Sequence, residues 1–222
     1  STLYLGLIGS VSSAAQWQTY INWMRARAYP PNGVMPSVTF SLVAQLTINL
    51  IGATGLSSTN TFTVYYYETS SVLSSYVFTS TGSVTLWATV GTEVYFSSQT
   101  SSGSTSTERW VVPSTTITTS VQNTPTTYTV TEYNQYTLTF DYAIQDGGSG
   151  YSAPTLSYTS FGSAQTLTLS TTGQTVWADV NTGWSVTNPL SGSTSSERWY
   201  TPTASGTVTG SMTTTVIYYN QY

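Results

Sequence analysis

Residues 104–110 read STSTERW and residues 193–199 read STSSERW, one Thr-to-Ser difference apart. Superposing them puts Glu108 opposite Glu197, Arg109 opposite Arg198 and Trp110 opposite Trp199, a displacement of 89 residues (197 minus 108). The register spreads outward. Trp87 in VTLWATV meets Trp177 in QTVWADV at 90, the TINL of AQLTINL (47–50) meets the TLTF of NQYTLTF (137–140) at 90, and Tyr95 in EVYF meets Trp184 in GWSV at 89. Order and spacing are both kept, which marks a duplicated structural unit with small loop changes.

Inside each copy the period is two. Leu46, Ile48 and Leu50 alternate with Thr47 and Asn49, and Tyr136, Leu138 and Phe140 alternate with Thr137 and Thr139, as in strands that bury one face. TFTVYYY, SYVFT, SVTLWATV and EVYFS in the first copy, and TLSYTSF, QTLTLST, QTVWADV, GWSVT and TTTVIYYNQ in the second, are short and separated by Gly or Ser clusters. They are rich in β-branched and aromatic residues, as strands are. The expected fold is all-β: two tandem Ig-like antiparallel β sandwiches of about seven strands each, over residues 37–127 and 128–222. They are expected to meet near Asn123 to Tyr133, with Trp87 and Trp177 in equivalent core positions.

Ser and Thr number 80 of 222 residues, a content found also in disordered, glycosylated stalks. Here the Thr residues alternate with Leu, Val, Tyr and Trp, and seven Trp and 18 Tyr supply apolar area that a stalk lacks. Folded sandwiches follow.

Residues 1–36 have no counterpart in the repeats. STLYLGLIGSV sets Leu3, Leu5 and Leu7 on one side and Thr2, Tyr4 and Gly6 on the other, then crosses to Ile8; a strand is expected over 1–11. Over 12–36 a short helix and a Pro-rich linker are expected. Ala14, Trp17, Ile21 and Met24 fall at helical spacing, Ser12 or Ser13 suits the N-cap, Arg25 and Arg27 suit the C-terminal end, and Pro30-Pro31 stops the helix. The opening at Ser1, without Met, reads as an end exposed by removal of a leader, and STLYLGLIG is too short and interrupted to span a membrane.

Charged residues make up 5% of the chain, against about 25% in ordinary soluble domains. There are four Arg, no Lys, eight carboxylates, no His and no Cys. No basic patch exists to neutralise nucleic-acid phosphates. Disulfides, thiolate chemistry, His-based triads and the usual zinc sites are excluded. A hydroxyl-rich surface with eight carboxylates has little to lose on acidification, so stability is expected to change little between pH 7 and about pH 2.

Candidate sites are few. A pepsin-type acid protease needs two carboxylates sharing a proton on matched loops. At a displacement of 90, Asp141 falls opposite Ile51 and Asp179 opposite Thr89, so neither has a duplicate. DYAIQDGG at 141–148 does not match a calcium loop. Neither a cofactor nor a metal is expected, and the chain reads as a non-enzyme. Glu108, Arg109 and Trp110 with Glu197, Arg198 and Trp199 are expected to be structural repeat markers: adjacent Glu and Arg point to opposite faces, so each Arg reaches a neighbouring strand or the repeat boundary. Tyr65-Tyr66-Tyr67 and Tyr218-Tyr219 offer rings on both strand faces, one of them available to sugars or to another subunit.

The phrase TVTEYNQYTLTF at 129–140, with YNQY recurring at 219–222, resembles the Ser/Thr/Tyr-rich β domains of secreted proteins from thermoacidophilic archaea, including those accompanying thermopsin-like proteases. A hydrophobic N-terminal strand followed by two such domains resembles the subunit of the extracellular thread filaments of Sulfolobales. That resemblance implies a subunit donor strand made of Leu3, Leu5, Leu7 and Ile8, partners that are copies of the same chain in a head-to-tail homopolymer, and a place on the cell surface. The pattern departs in one respect: no Asn here lies in an N-x-[ST] context, so any glycan would be O-linked.

Independently of the resemblance, an exposed hydrophobic strand with no hairpin partner is an aggregation hazard. It can add to its own first domain or to a neighbour's groove, and the second solution makes a filament unless rotation closes the ring. Three functions compete: a filament subunit assembled by donor-strand complementation and serving adhesion or biofilm formation, a monomeric surface module for adhesion or glycan binding, and a secreted acid hydrolase. The lack of His, Cys and Lys and the unmatched carboxylates weigh against the last.

Overall fold

Among the described residues, alternating burial builds two cores from fifteen strands. The computed structural model describes residues 41–52, 56–57 and 59–222, within the unit Ser41–Tyr222. The expected donor strand, with Leu3, Leu5, Leu7 and Ile8, and the expected helix and linker over 12–36 lie outside the described residues.

The strands are β1 (Val43–Gly52), β2 (Phe62–Thr69), β3 (Val72–Phe78), β4 (Gly82–Thr89), β5 (Val94–Phe96), β6 (Glu108–Val111), β7 (Thr116–Thr118) and β8 (Thr126–Gln145). They continue as β9 (Thr155–Ser160), β10 (Ser163–Thr168), β11 (Gln174–Asp179), β12 (Gly183–Val186), β13 (Arg198–Tyr200), β14 (Ser205–Thr207) and β15 (Met212–Gln221). One sandwich sets β4-β1-β8-β6 against β3-β2-β5-β7; the other sets β11-β8-β15-β13 against β10-β9-β12-β14. Each strand of the first has its counterpart in the second. β8 serves both, closing the first sandwich with its N-terminal half and opening the second with its C-terminal half.

Leu46, Ile48 and Leu50 of β1 are buried together with Phe62, Val64 and Phe96 of the facing sheet, where the Phe62 and Phe96 rings meet edge-on at 5.6 Å. Leu138 and Phe140 of β8 play the same part in the second core with Leu156, Trp184 and Tyr218, the Phe140 and Trp184 rings lying 4.9 Å apart. Burying each such side chain contributes roughly 1.5–3 kcal/mol. Tyr128 and Val130, from the first half of β8, pack on the first core.

Three expectations change. Among the described residues each sandwich has eight strands, and neither is wholly antiparallel: β1 runs parallel to β8 (Leu46 beside Thr126), and β15 runs parallel to β8 (Met212 beside Leu138). The cause is topological, since the first and last strands of a repeat lie side by side and point the same way. Second, the Thr47–Thr85 hydroxyl pair (3.2 Å) recurs as Thr139–Thr175 (2.8 Å), so β1 maps onto β8 at 92 residues (139 minus 47) and not 90. A two-residue slip keeps every side chain on its face, so the hydrophobic pattern is blind to it; Asp141 stands opposite Asn49, not Ile51. Third, Trp87 is not a core residue. Leu86 and Ala88 take the inward face and leave Trp87 58% exposed, while Trp177 is half-buried on the outer face of the second sandwich.

Candidate functional site

The duplicated heptad folds itself through its hydroxyls. Thr105 Oγ1 accepts from the amides of Thr107 (3.2 Å) and Glu108 (3.0 Å), and Ser104 Oγ accepts from the Trp110 amide (3.2 Å). In the second copy Thr194 Oγ1 accepts from Ser196 and Glu197, and Ser193 Oγ from Trp199, at 3.1–3.3 Å. Ser and Thr supply these local acceptors without needing a special backbone conformation. The turn then delivers Glu-Arg-Trp onto a strand.

That strand pairs with the other duplicated motif, Tyr-Asn-Gln-Tyr. Arg109 sits opposite Gln135 and Trp110 opposite Asn134; Arg198 sits opposite Gln221 and Trp199 opposite Asn220. Asn134 Nδ2 donates to Glu108 Oε1 at 3.1 Å, and Asn220 Nδ2 to Glu197 Oε1 at 3.0 Å. Arg109 Nε and Nη2 donate to Gln135 Oε1 at 2.9 and 2.7 Å, and Arg198 Nε to Gln221 Oε1 at 2.9 Å. Trp110 and Trp199 are buried. Each repeat therefore ends in the same Glu–Asn and Arg–Gln clamp, whose amide partners the sequence reading did not single out. The signal was the recurrence of YNQY.

The two clamps differ in what lies beyond them. On the first, the second sandwich is seated. The Arg109 guanidinium lies over the Trp177 ring, 4.3 Å from its centroid, and 5.9 Å from that of Phe161. Gln135, fully buried, donates through Nε2 to Asp179 Oδ1 (2.8 Å) and Ser160 Oγ (3.0 Å). Asp179 also accepts the amides of Phe161 (3.1 Å) and Gly162 (2.7 Å). Those two residues form the two-residue β9–β10 turn with φ of 52° and 68°, the left-handed pair that a type I′ hairpin requires. Burial lowers the Arg109 pKa, and the Asp179 charge opposes that shift.

On the second clamp nothing among the described residues is seated. Arg198 and Gln221 are exposed, Tyr222 is 92% exposed, and the guanidinium lies over the Tyr200 ring of its own strand, at 5.3 Å. Glu197, Arg198, Gln221 and Tyr222, with the 194–196 turn, line an open recess.

Two further features stand out in the first sandwich. Its edge strand β3 exposes Val72, Leu73, Tyr76 and Val77, whereas the equivalent β10 carries Ser163, Ala164, Gln165 and Thr166. An exposed apolar edge is unusual, because free edges are normally blunted with charge or Pro. Glu132 of β8 is 1% exposed, and neither carboxylate oxygen has a hydrogen-bond partner among the described residues. Burial raises its pKa to about 7. The eight carboxylates are thus not equivalent, and the expectation of nearly pH-independent stability does not hold for this one.

Among the described residues no group of three or more His, Cys, Asp or Glu is placed to hold a metal, and no helix is long and apolar enough to cross a membrane.

No protein-family model matches the chain. A stretch of 37 residues is 62% identical to "Uncharacterized protein 562" of Sulfolobus islandicus rod-shaped virus 1; the match spans 17% of this chain and 7% of that protein. Among solved structures, the major pilin of Streptococcus pyogenes aligns over 83% of this chain and 98% of its own, with 9% identity and a TM-score of 0.25. A shaft pilin spaA of Lactobacillus rhamnosus GG aligns over 81% and 99%, with 8% identity and a TM-score of 0.25. A leucine-rich repeat protein of Bacteroides thetaiotaomicron aligns over 80% and 27%, with 12% identity and a TM-score of 0.23. These scores are too low for the architecture of any of the three to be carried over to this chain.

Proposed function

We propose that this chain is the structural subunit of an extracellular, cell-surface filament of the thread type found in Sulfolobales, a homopolymer built head-to-tail by donor-strand complementation. Residues 1–11 are the donor strand, presenting Leu3, Leu5, Leu7 and Ile8; residues 12–36 connect it to the two sandwiches. The observation that carries the reading is the apolar β3 edge of the first sandwich, which pairs with no further strand among the described residues and leaves Val72, Leu73, Tyr76 and Val77 exposed. It is an acceptor of the right chemistry for an alternating Leu strand, giving backbone ladder bonds and apolar contacts together. The equivalent β10 edge is polar, so the first sandwich is the acceptor. The match to a protein of a Sulfolobus virus supports the setting.

The chain has neither Cys nor Lys, so the joint relies on backbone pairing and apolar burial, which are insensitive to acid and salt in a way that ion pairs are not. The test is Leu5→Asp with Leu7→Asp. Burying two carboxylates against β3 is prohibitive, so the expected outcome is loss of filaments in electron micrographs while the thermal melt of the body is unchanged. Filaments of wild-type appearance from this variant would overturn the reading.

A further inference from the structure

The molecule contains one worked example of a repeat's tail seated on a repeat's head, and it carries a second copy of each on which nothing among the described residues is seated. The tail is the clamp of Arg and Gln on the last two strands. In the first repeat it is Arg109–Gln135; in the second it is Arg198–Gln221, with matching Nε···Oε1 distances of 2.9 Å. The head is the outer Trp of the strand beside the first strand. In the second repeat it is Trp177, half-buried under Arg109; in the first it is Trp87, at the same place in the sandwich and 58% exposed.

We infer that Arg198 at the tail of one copy stacks on Trp87 at the head of a second copy of this chain, repeating between subunits the Arg109–Trp177 contact made within each. The inference rests on the head-to-tail filament reading and adds to it a contact between the folded bodies. The occupant follows from the template. A guanidinium over an indole face needs a cation on one side and an exposed Trp on the other, and the chain supplies both at opposite ends. Such a contact is heterologous and propagates.

The copy is not perfect, and the differences set its strength. Thr89 stands where Asp179 stands, and Ser70-Ser71 where Phe161-Gly162 stands, so the head of the first repeat has neither the carboxylate nor the second ring. The contact between copies is weaker than the internal one. Gln135 is the counterpart both of Gln221 and of Val43, because β8 is shared. Seating Gln221 beside Thr89 therefore requires Val43, the 37%-exposed first residue of β1, to give up that place.

The test uses full chains carrying Leu5→Asp and Leu7→Asp, so that strand donation cannot contribute, and follows association by sedimentation into the millimolar range. Filament loss in that background reports on strand donation; association reports on this contact, independently. The expected result is concentration-dependent association that either Trp87→Ala or Arg198→Ala weakens about fivefold to thirtyfold, the range for losing a partly desolvated cation–aromatic contact. An equimolar mixture of the two variants should form dimers that stop there, because one intact tail meets one intact head. Association unaffected by both substitutions, no association at all, or no dimer in the mixture would overturn the proposal. Should the Leu5→Asp, Leu7→Asp chain still form filaments, the same two substitutions are read on filament length, and unchanged lengths would overturn it equally.

Discussion

The guanidinium of Arg109 and the indole of Trp177 lie 4.3 Å apart across the boundary between the two repeats. The same guanidinium supplies two of the hydrogen bonds to buried Gln135 Oε1. Arg109→Ala leaves that oxygen without these donors and uncovers Trp177. A loss of about 2–3 kcal/mol is expected, combining a buried charged hydrogen bond with the lost stacking. Arg198→Ala, whose partner Gln221 is exposed, should cost under about 0.5 kcal/mol. Urea unfolding of both variants checks the contrast, and equal losses would show that the junction contributes nothing beyond a surface bond.

Glu132 predicts an unusual pH profile. Its folded pKa, about 7, lies above the ordinary glutamate value of 4.5, so the native state holds a proton that the unfolded chain releases. Below pH 4.5 both states are protonated and no penalty applies. As pH rises from 4.5 to 7 the unfolded state binds fewer protons than the native one, and stability falls. The loss is on the order of 3 kcal/mol, complete above pH 7. Glu132→Gln should abolish this slope and raise the melting temperature at pH 8 more than at pH 4. A melt series showing the same increment at both values would count against a protonated Glu132.

Much of this fold can be read in the chain because period-two burial and a duplicated heptad are local signals. AQLTINL and NQYTLTF could be placed as strands from Leu46, Ile48, Leu50, Leu138 and Phe140 alone. The register between them could not, since a slip of two residues changes no face; the β1–β4 and β8–β11 pairings fix it, with Thr47 beside Thr85 and Thr139 beside Thr175. Trp87 was misplaced by its hydrophobicity, although its neighbours Leu86 and Ala88 already held the core positions. The junction was half legible. ERW and YNQY each recur in sequence, but that Arg109 meets Gln135 and Trp177 depends on β8 serving two sandwiches, a long-range fact with no local signature. Glu132 has the local sequence of any other carboxylate on a strand, and its burial comes from long-range packing that leaves no local signature.

The hydroxyl acceptors in the duplicated turn give a paired test of the repeat. Thr105→Val removes the oxygen that takes the Thr107 and Glu108 amides, and Thr194→Val removes the one that takes the Ser196 and Glu197 amides. Loss of a cap-like acceptor costs about 0.5–2 kcal/mol. The two substitutions should fall in that range and add when combined, since they sit in different repeats. Thermal or urea unfolding of the two single variants and the double variant decides, and a Val substitution without effect would show that water replaces the hydroxyl fully.

The β3 edge is where the filament reading is most exposed to a direct trial. Leu73 and Val77 are 46% and 45% exposed, and they pair across to Tyr67 and Thr63 of β2, so among the described residues their backbone is held on one side only. Replacing both with Lys adds charge to a free edge, the device by which edge strands are kept from pairing. Neither side chain belongs to the buried core, so the sandwich itself should keep its stability within about 0.5 kcal/mol per site. An arriving Leu3-Leu5-Leu7 strand, by contrast, would have to pass its apolar side chains beside two ammonium groups and strip their water. Filaments should be absent or much shortened in micrographs of Leu73→Lys, Val77→Lys, whereas Ala164→Lys, Thr166→Lys on the polar β10 edge should polymerise normally. If the β10 pair blocks assembly and the β3 pair does not, the second sandwich is the acceptor; if neither does, strand addition at these edges is not how the subunits join.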